Sequence, residues 1–164
     1  MMSTAFIILS LEIILLVLAF QNYKNNDILK AMSSFYLILF MVLISGFRYN
    51  VGDDFLNYEI MFDNPNHIRN LYTEPIWRYI SLFLHGMKLS SISWFLLTSF
   101  IINLFFITGI KSLSKNFYIS VAFYLIMPHM FLESFNIVRQ FVAMSIIFRF
   151  SYLFFSKKYI QIKK

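Results

Sequence analysis

Long apolar runs recur along this chain with few charges inside them: roughly Thr4–Phe20, Met32–Phe47, Ile92–Ile110, Phe117–Phe131 and Ile137–Phe155. A helix needs about 20 apolar residues to cross the hydrocarbon core of a bilayer. In lipid, only helices and closed barrels satisfy every backbone polar group. Runs this continuous lack the alternation of barrel strands. The expected fold class is therefore all-α: a polytopic membrane bundle of about five transmembrane helices, built as a single domain over residues 1–164. Composition agrees. The chain is 59 % hydrophobic and only 13 % charged, against about a quarter charged in soluble domains. Polar groups are too few to cover its surface, so lipid must.

The chain has no cysteine, which excludes disulfides and thiolate metal sites. Its three histidines are scattered, and neither a metal centre nor a nucleotide cofactor motif is expected. The start, Met1-Met2-Ser3-Thr4, has no basic region and no small-residue cleavage site. The first apolar run reads as a retained anchor and not a signal peptide.

Charge sets the expected orientation. Lys24 and Lys30 follow the first run, Lys111 and Lys115 the third, and Lys157, Lys158, Lys163 and Lys164 the fifth; these are eight of the nine lysines. Cytoplasmic loops are rich in Lys and Arg, so these alternate loops belong inside. The N-terminus then lies outside and the C-terminus in the cytoplasm. The 48–91 loop and the turn at Glu133–Arg139 face outward. The sequence pI of about 9.6 reflects topology, not nucleic-acid binding. Within the outer loop, residues 75–88 read as an amphipathic helix. Ile76, Trp77, Ile80, Phe83, Leu84 and Met87 share one face, and Arg78, Ser81, His85 and Lys88 the other. That pattern predicts a helix lying in the outer interface with Trp77 at headgroup depth. A short sixth span is the alternative, but it inverts the lysine pattern downstream.

Two polar islands interrupt the oil. The first is Arg48-Tyr49-Asn50-Val51-Gly52-Asp53-Asp54, followed by Asn57-Tyr58-Glu59 and Glu74-Pro75. Four of the eight acidic residues lie between Asp53 and Asp63. The second is Glu133-Ser134-Phe135-Asn136-Ile137-Val138-Arg139-Gln140. The topology puts both outside, where they can form one charged pocket. Plain structural readings stand beside this one. Arg48 at a span end can be an interfacial anchor. Asp53 and Asp54 can form a solvated turn or a helix cap. Glu74-Pro75 can simply start a helix. Arg139 is harder to explain away, because a charge in an apolar span costs roughly 2.5–3.5 kcal/mol on insertion scales. Gln140 can hold a sugar hydroxyl or bond a neighbouring helix. Glu12 and Arg149 read as structural charges, Asn103 as helix–helix glue, and Pro128 as the breaker of the fourth helix.

Arg48-Tyr49-Asn50-Val51-Gly52-Asp53-Asp54-Phe55-Leu56-Asn57-Tyr58, then Glu74-Pro75, then Val138-Arg139-Gln140 in an apolar run, resembles the EpsG family of Wzy-like bacterial polysaccharide polymerases. The resemblance covers roughly residues 40–145. Members are normally about twice this length, so an N-terminal half or truncated member is expected. The resemblance implies a bacterial inner-membrane protein with no cofactor. Its partners would be a polyprenyl-diphosphate-linked oligosaccharide, membrane lipid and other polysaccharide-assembly proteins. It implies polymerisation of lipid-linked repeat units for exopolysaccharide, capsule or O-antigen at the outer face. The leaving lipid diphosphate calls for fixed cations, and guanidinium binds phosphate bidentately; Arg139 and Arg48 are the candidates. The attacking hydroxyl needs a base, and partial burial can tune a carboxylate for that task; Asp53, Asp54 and Glu74 are the candidates. Gly52 supplies a tight turn that aims Asp53 and Asp54. Tyr49, Tyr58 and Trp77 are placed to stack on sugars, and Gln140 to bind a hydroxyl. A transporter or flippase-like protein, an accessory subunit and an inactive truncated polymerase are the competing readings.

Overall fold

The computed structural model describes residues 27–64, 75–127 and 130–162. The regular elements among them are all helical: α1 (Asp27–Gly46), α2 (Phe55–Asp63), α3 (Pro75–Gly86), α4 (Ser91–Leu113), α5 (Phe117–Ile126), a 3-10 turn (Glu133–Phe135) and α6 (Val138–Ile162). The all-α class is as the apolar runs predict. The expected first span with Glu12, and the positions of Glu74 and Pro128, lie outside the described residues.

Among the described residues, α4 is the one helix both long and apolar enough to cross a membrane. Its 23 residues extend about 35 Å at the α-helical rise. Helix α6 is longer, at 25 residues, but it carries Arg139, Arg149, Lys157 and Lys158. In α1, Ser34–Gly46 forms an apolar helical stretch of 13 residues. The expected fourth span, Phe117–Phe131, differs most. Helix α5 has 10 residues and reaches about 15 Å, half of the ~30 Å core. It stops because Met127 precedes Pro128 and takes an extended conformation (ψ 118°). The proline ring disfavours helical geometry at the residue before it.

Helix α4 is the central element, flanked by α1 and α6. A Cβ on Gly109 would stand 2.7 Å from the Phe148 ring, so glycine lets α6 approach closely. Asn103 Nδ2 donates to Ser45 Oγ (3.3 Å) and to the Ser99 carbonyl (2.8 Å), tying α4 to α1 in the glue role its position predicts. At the N-terminal end of α4, an aromatic cluster fastens α2 and α3. Phe55 stacks on Phe95 with centroids 4.9 Å apart, Tyr58 stacks on Trp94 at 5.0 Å, and Trp77 meets Trp94 at 5.9 Å.

Helix α3 begins at Pro75, as a first-turn proline should. Its orientation differs from the expected one. Trp77, Ser81 and Leu84 face the protein, while Ile76, Tyr79, Phe83 and Met87 are exposed. Trp77 is thus a packed residue of the aromatic cluster. Ser81, expected on the polar face, is fully buried. Exposed apolar side chains also line α1 (Phe35, Leu39, Phe40, Leu43) and α6 (Ile147, Phe150, Leu153). Exposed apolar side chains along three helices suit a surface that lipid covers.

Candidate functional site

The two polar islands meet. The backbone N–H of Asp53 donates to Asn136 Oδ1 at 3.0 Å, across a sequence separation of 83 residues. Gly52 makes the approach possible. Its φ is +95°, and a Cβ there would lie 2.5 Å from Asn136 Oδ1 and 3.1 Å from the Phe135 carbonyl oxygen. Only glycine takes that conformation and that proximity without strain. The turn then feeds α2, with Phe55 N–H donating to the Gly52 carbonyl at 3.3 Å.

Arg48 lies beneath this junction. Its guanidinium carbon is 4.8 Å from the centroid of Phe95 and 5.0 Å from that of Phe135, a cation–π sandwich. The residue is 4 % exposed. Its Nη1 donates to the Ser45 carbonyl at 3.3 Å, whereas Nε and Nη2 are buried with no hydrogen-bond partner among the described residues. Burial pushes its pKa down to about 10, with the proximity of Tyr58 opposing the fall. Arg48 therefore remains a cation at neutral pH, at a desolvation cost.

A groove of about 730 Å³ runs between α2, α3, α4 and α6. Asp54, Tyr58, Arg139 and Gln140 supply its polar groups. Trp77, Ile101, Phe105, Val142 and Ile146 are among its apolar walls. Tyr58 is anchored by its ring on Trp94, and its hydroxyl is hydrogen-bonded by Arg139. Burial raises the Tyr58 pKa, the Arg139 hydrogen bond and charge pull it back, and Asp54 adds to the rise. The phenol is neutral at physiological pH. Asp54 stands at the N-cap position of α2, yet its side chain makes no capping bond to the backbone. Its Oδ1 accepts from Asn57 Nδ2 at 3.1 Å instead. The cap reading of Asp54 is thereby replaced by a side-chain pair.

Five of the residues singled out in the sequence therefore share one groove: Asp54, Tyr58, Trp77, Arg139 and Gln140. Arg48 is buried behind it. Asp53 is exposed, and Tyr49 is 71 % exposed, its ring edge-on to Phe55 at 5.8 Å. Tyr58 and Trp77 offer little free ring face for a sugar, since each is held against Trp94. Sequence reasoning gave no role to Asn136, Phe135 or Phe95, which assemble the junction. Asn136 sat inside the second island; the two phenylalanines are indistinguishable in sequence from other apolar residues of their runs. No group of three or more His, Asp or Glu among the described residues is placed to hold a metal ion. A second cavity, of about 630 Å³ between α4, α5 and α6, is lined by Phe106, Phe123, Met127, Met144 and Phe148 and has no charged lining residue.

One guanidinium, one carboxylate, a phenol and an amide on apolar walls suit an amphiphile with an anionic, hydroxyl-rich head. No curated protein and no solved structure matches the chain. The model of the EpsG family matches it over residues 32–162, a range that contains the whole groove. The chain belongs to the EpsG family, which makes it a membrane-associated protein of exopolysaccharide biosynthesis.

Proposed function

We propose that the groove holds the head of a polyprenyl-diphosphate-linked oligosaccharide and that the chain takes part in joining repeat units at the outer face of the bacterial inner membrane. The observation that carries this reading is the convergence of Arg139 and Asp54 in one groove with apolar walls. In the reaction, a hydroxyl oxygen of one unit attacks the anomeric carbon of another. The bond from that carbon to the diphosphate oxygen breaks, and its electron pair leaves with the lipid diphosphate. Arg139, half-buried and oriented by Tyr58, stabilises the developing charge on that leaving group. Asp54 accepts the hydroxyl proton, and Gln140 bonds a sugar hydroxyl. Asp53 and Glu74 remain alternative bases, and Asp54 is favoured because it lines the groove. Arg48 supports the same charge from behind the wall, through its field and not by contact.

Polymer length in a strain lacking its own polymerase and expressing residues 1–164 tests this, read as a ladder of chain lengths. A ladder is expected from the unaltered chain. Arg139→Ala should leave single repeat units at an unchanged protein level. Arg139→Lys should lose nearly as much, because a point charge lacks the bidentate fork. Full-length polymer from Arg139→Ala would sink the assignment.

A further inference from the structure

We propose that Asn136 is a positioning residue: a latch that fixes the separation between the acidic turn and the start of α6, and hence between Asp54 and Arg139. The inference rests on reading the groove as the polymerising site. The latch itself is a matter of geometry. Asp53 N–H is a donor, so the oxygen of the Asn136 amide must face it. Asn136 lies three residues before Arg139, about one helical turn, and Asp53 directly precedes Asp54. One hydrogen bond thus joins the neighbours of the two groups that the reaction needs on opposite sides of the groove.

Both ends of the latch are held from behind. Asn136 has helical dihedrals (φ −86°, ψ −60°), and its N–H donates to the Glu133 carbonyl at 3.0 Å. The adjacent Phe135 is buried under Arg48. On the other side, Gly52 leaves no room for a side chain between the turn and Asn136. Asn136 is not among the groove-lining residues, so its action is through Asp53 and Arg139. The aromatic contacts of Phe55, Tyr58 and Trp77 with α4 do not involve it. Losing the latch should therefore loosen the groove without unfolding the outer-loop helices.

The test exploits a chain without cysteine. Asp54→Cys and Gln140→Cys are introduced together, and a short bis-maleimide is used to bridge the groove in membranes. Efficient bridging is expected with Asn136 intact. Adding Asn136→Leu, which keeps bulk and removes the acceptor, should lower the yield several-fold at equal protein level. Asn136→Asp, which keeps an oxygen at the same place, should recover most of it. An unchanged yield with Asn136→Leu overturns the latch. In parallel, single Asn136→Leu and Asn136→Asp chains are scored for polymer length. Shortened polymer with leucine and recovery with aspartate support the positioning role. Reduced bridging together with full-length polymer keeps the latch as a structural contact but overturns the assignment of this groove to polymerisation.

Discussion

At the scale of single residues, Tyr58 departs furthest from its expected role. A tyrosine in an outer polar loop suggests sugar stacking, but here the ring is stacked on Trp94 and the hydroxyl meets Arg139. The hydroxyl is placed to hold the Arg139 guanidinium. Tyr58→Phe keeps the stack and removes the hydroxyl. Polymer yield at limiting substrate is expected to fall roughly tenfold, the size of one hydrogen bond to a charged group. The raised pKa fixes the sign of the pH response. The folded phenol stays protonated beyond pH 10, its ordinary value, so Tyr58 contributes no titration near neutrality. The pH profile of Tyr58→Phe should match that of the unaltered chain in shape and differ in height. A changed shape would assign Tyr58 a proton-transfer role instead. Arg48 was legible as a site residue only in part. The sequence signalled its proximity to the span end, but anchors and buried cations look alike there. The sandwich between Phe95 and Phe135 depends on residues 47 and 87 positions away.

At the scale of elements, the sequence was most informative where backbone chemistry decides. Pro75 starts α3 and Pro128 stops α5, because a proline ring acts locally whatever surrounds it. It was least informative about the roll of α3. The apolar residues of that helix wrap beyond a single stripe, so the period alone allows two burial choices. Trp94 decides between them by packing against Trp77. The exposed ridge of Ile76, Tyr79, Phe83 and Met87 is then the side available to the bilayer interface. A spin label at Phe83→Cys should be more accessible to oxygen than to a water-soluble nickel relaxant. A label at His85→Cys should show the reverse. Equal accessibility at the two positions would remove α3 from the interface.

At the scale of the whole molecule, the meeting of islands 83 residues apart was legible for a simple reason. The lysines alternate between loops, and the charge rule applied to that alternation predicts both islands on one side of the membrane. The hydrogen bond from Asp53 to Asn136 agrees with that placement. Membrane-impermeant maleimide on intact cells should label Asn57→Cys, and should label Lys115→Cys only after permeabilisation. Labelling of both on intact cells would reject the orientation. The number of spans was less legible, since apolar length in sequence does not reveal where a helix ends, and α5 ends early. The buried Arg48 has one more consequence. Its Nε and Nη2 have no hydrogen-bond partner among the described residues, so an anion bound in the neighbouring groove would offset, through its field, part of the cost of burying that charge. Binding and folding are then linked, because a ligand that favours the folded state adds to its stability. On the proposed reading of the groove, cells rich in lipid-linked precursor are expected to keep this protein longer than starved cells.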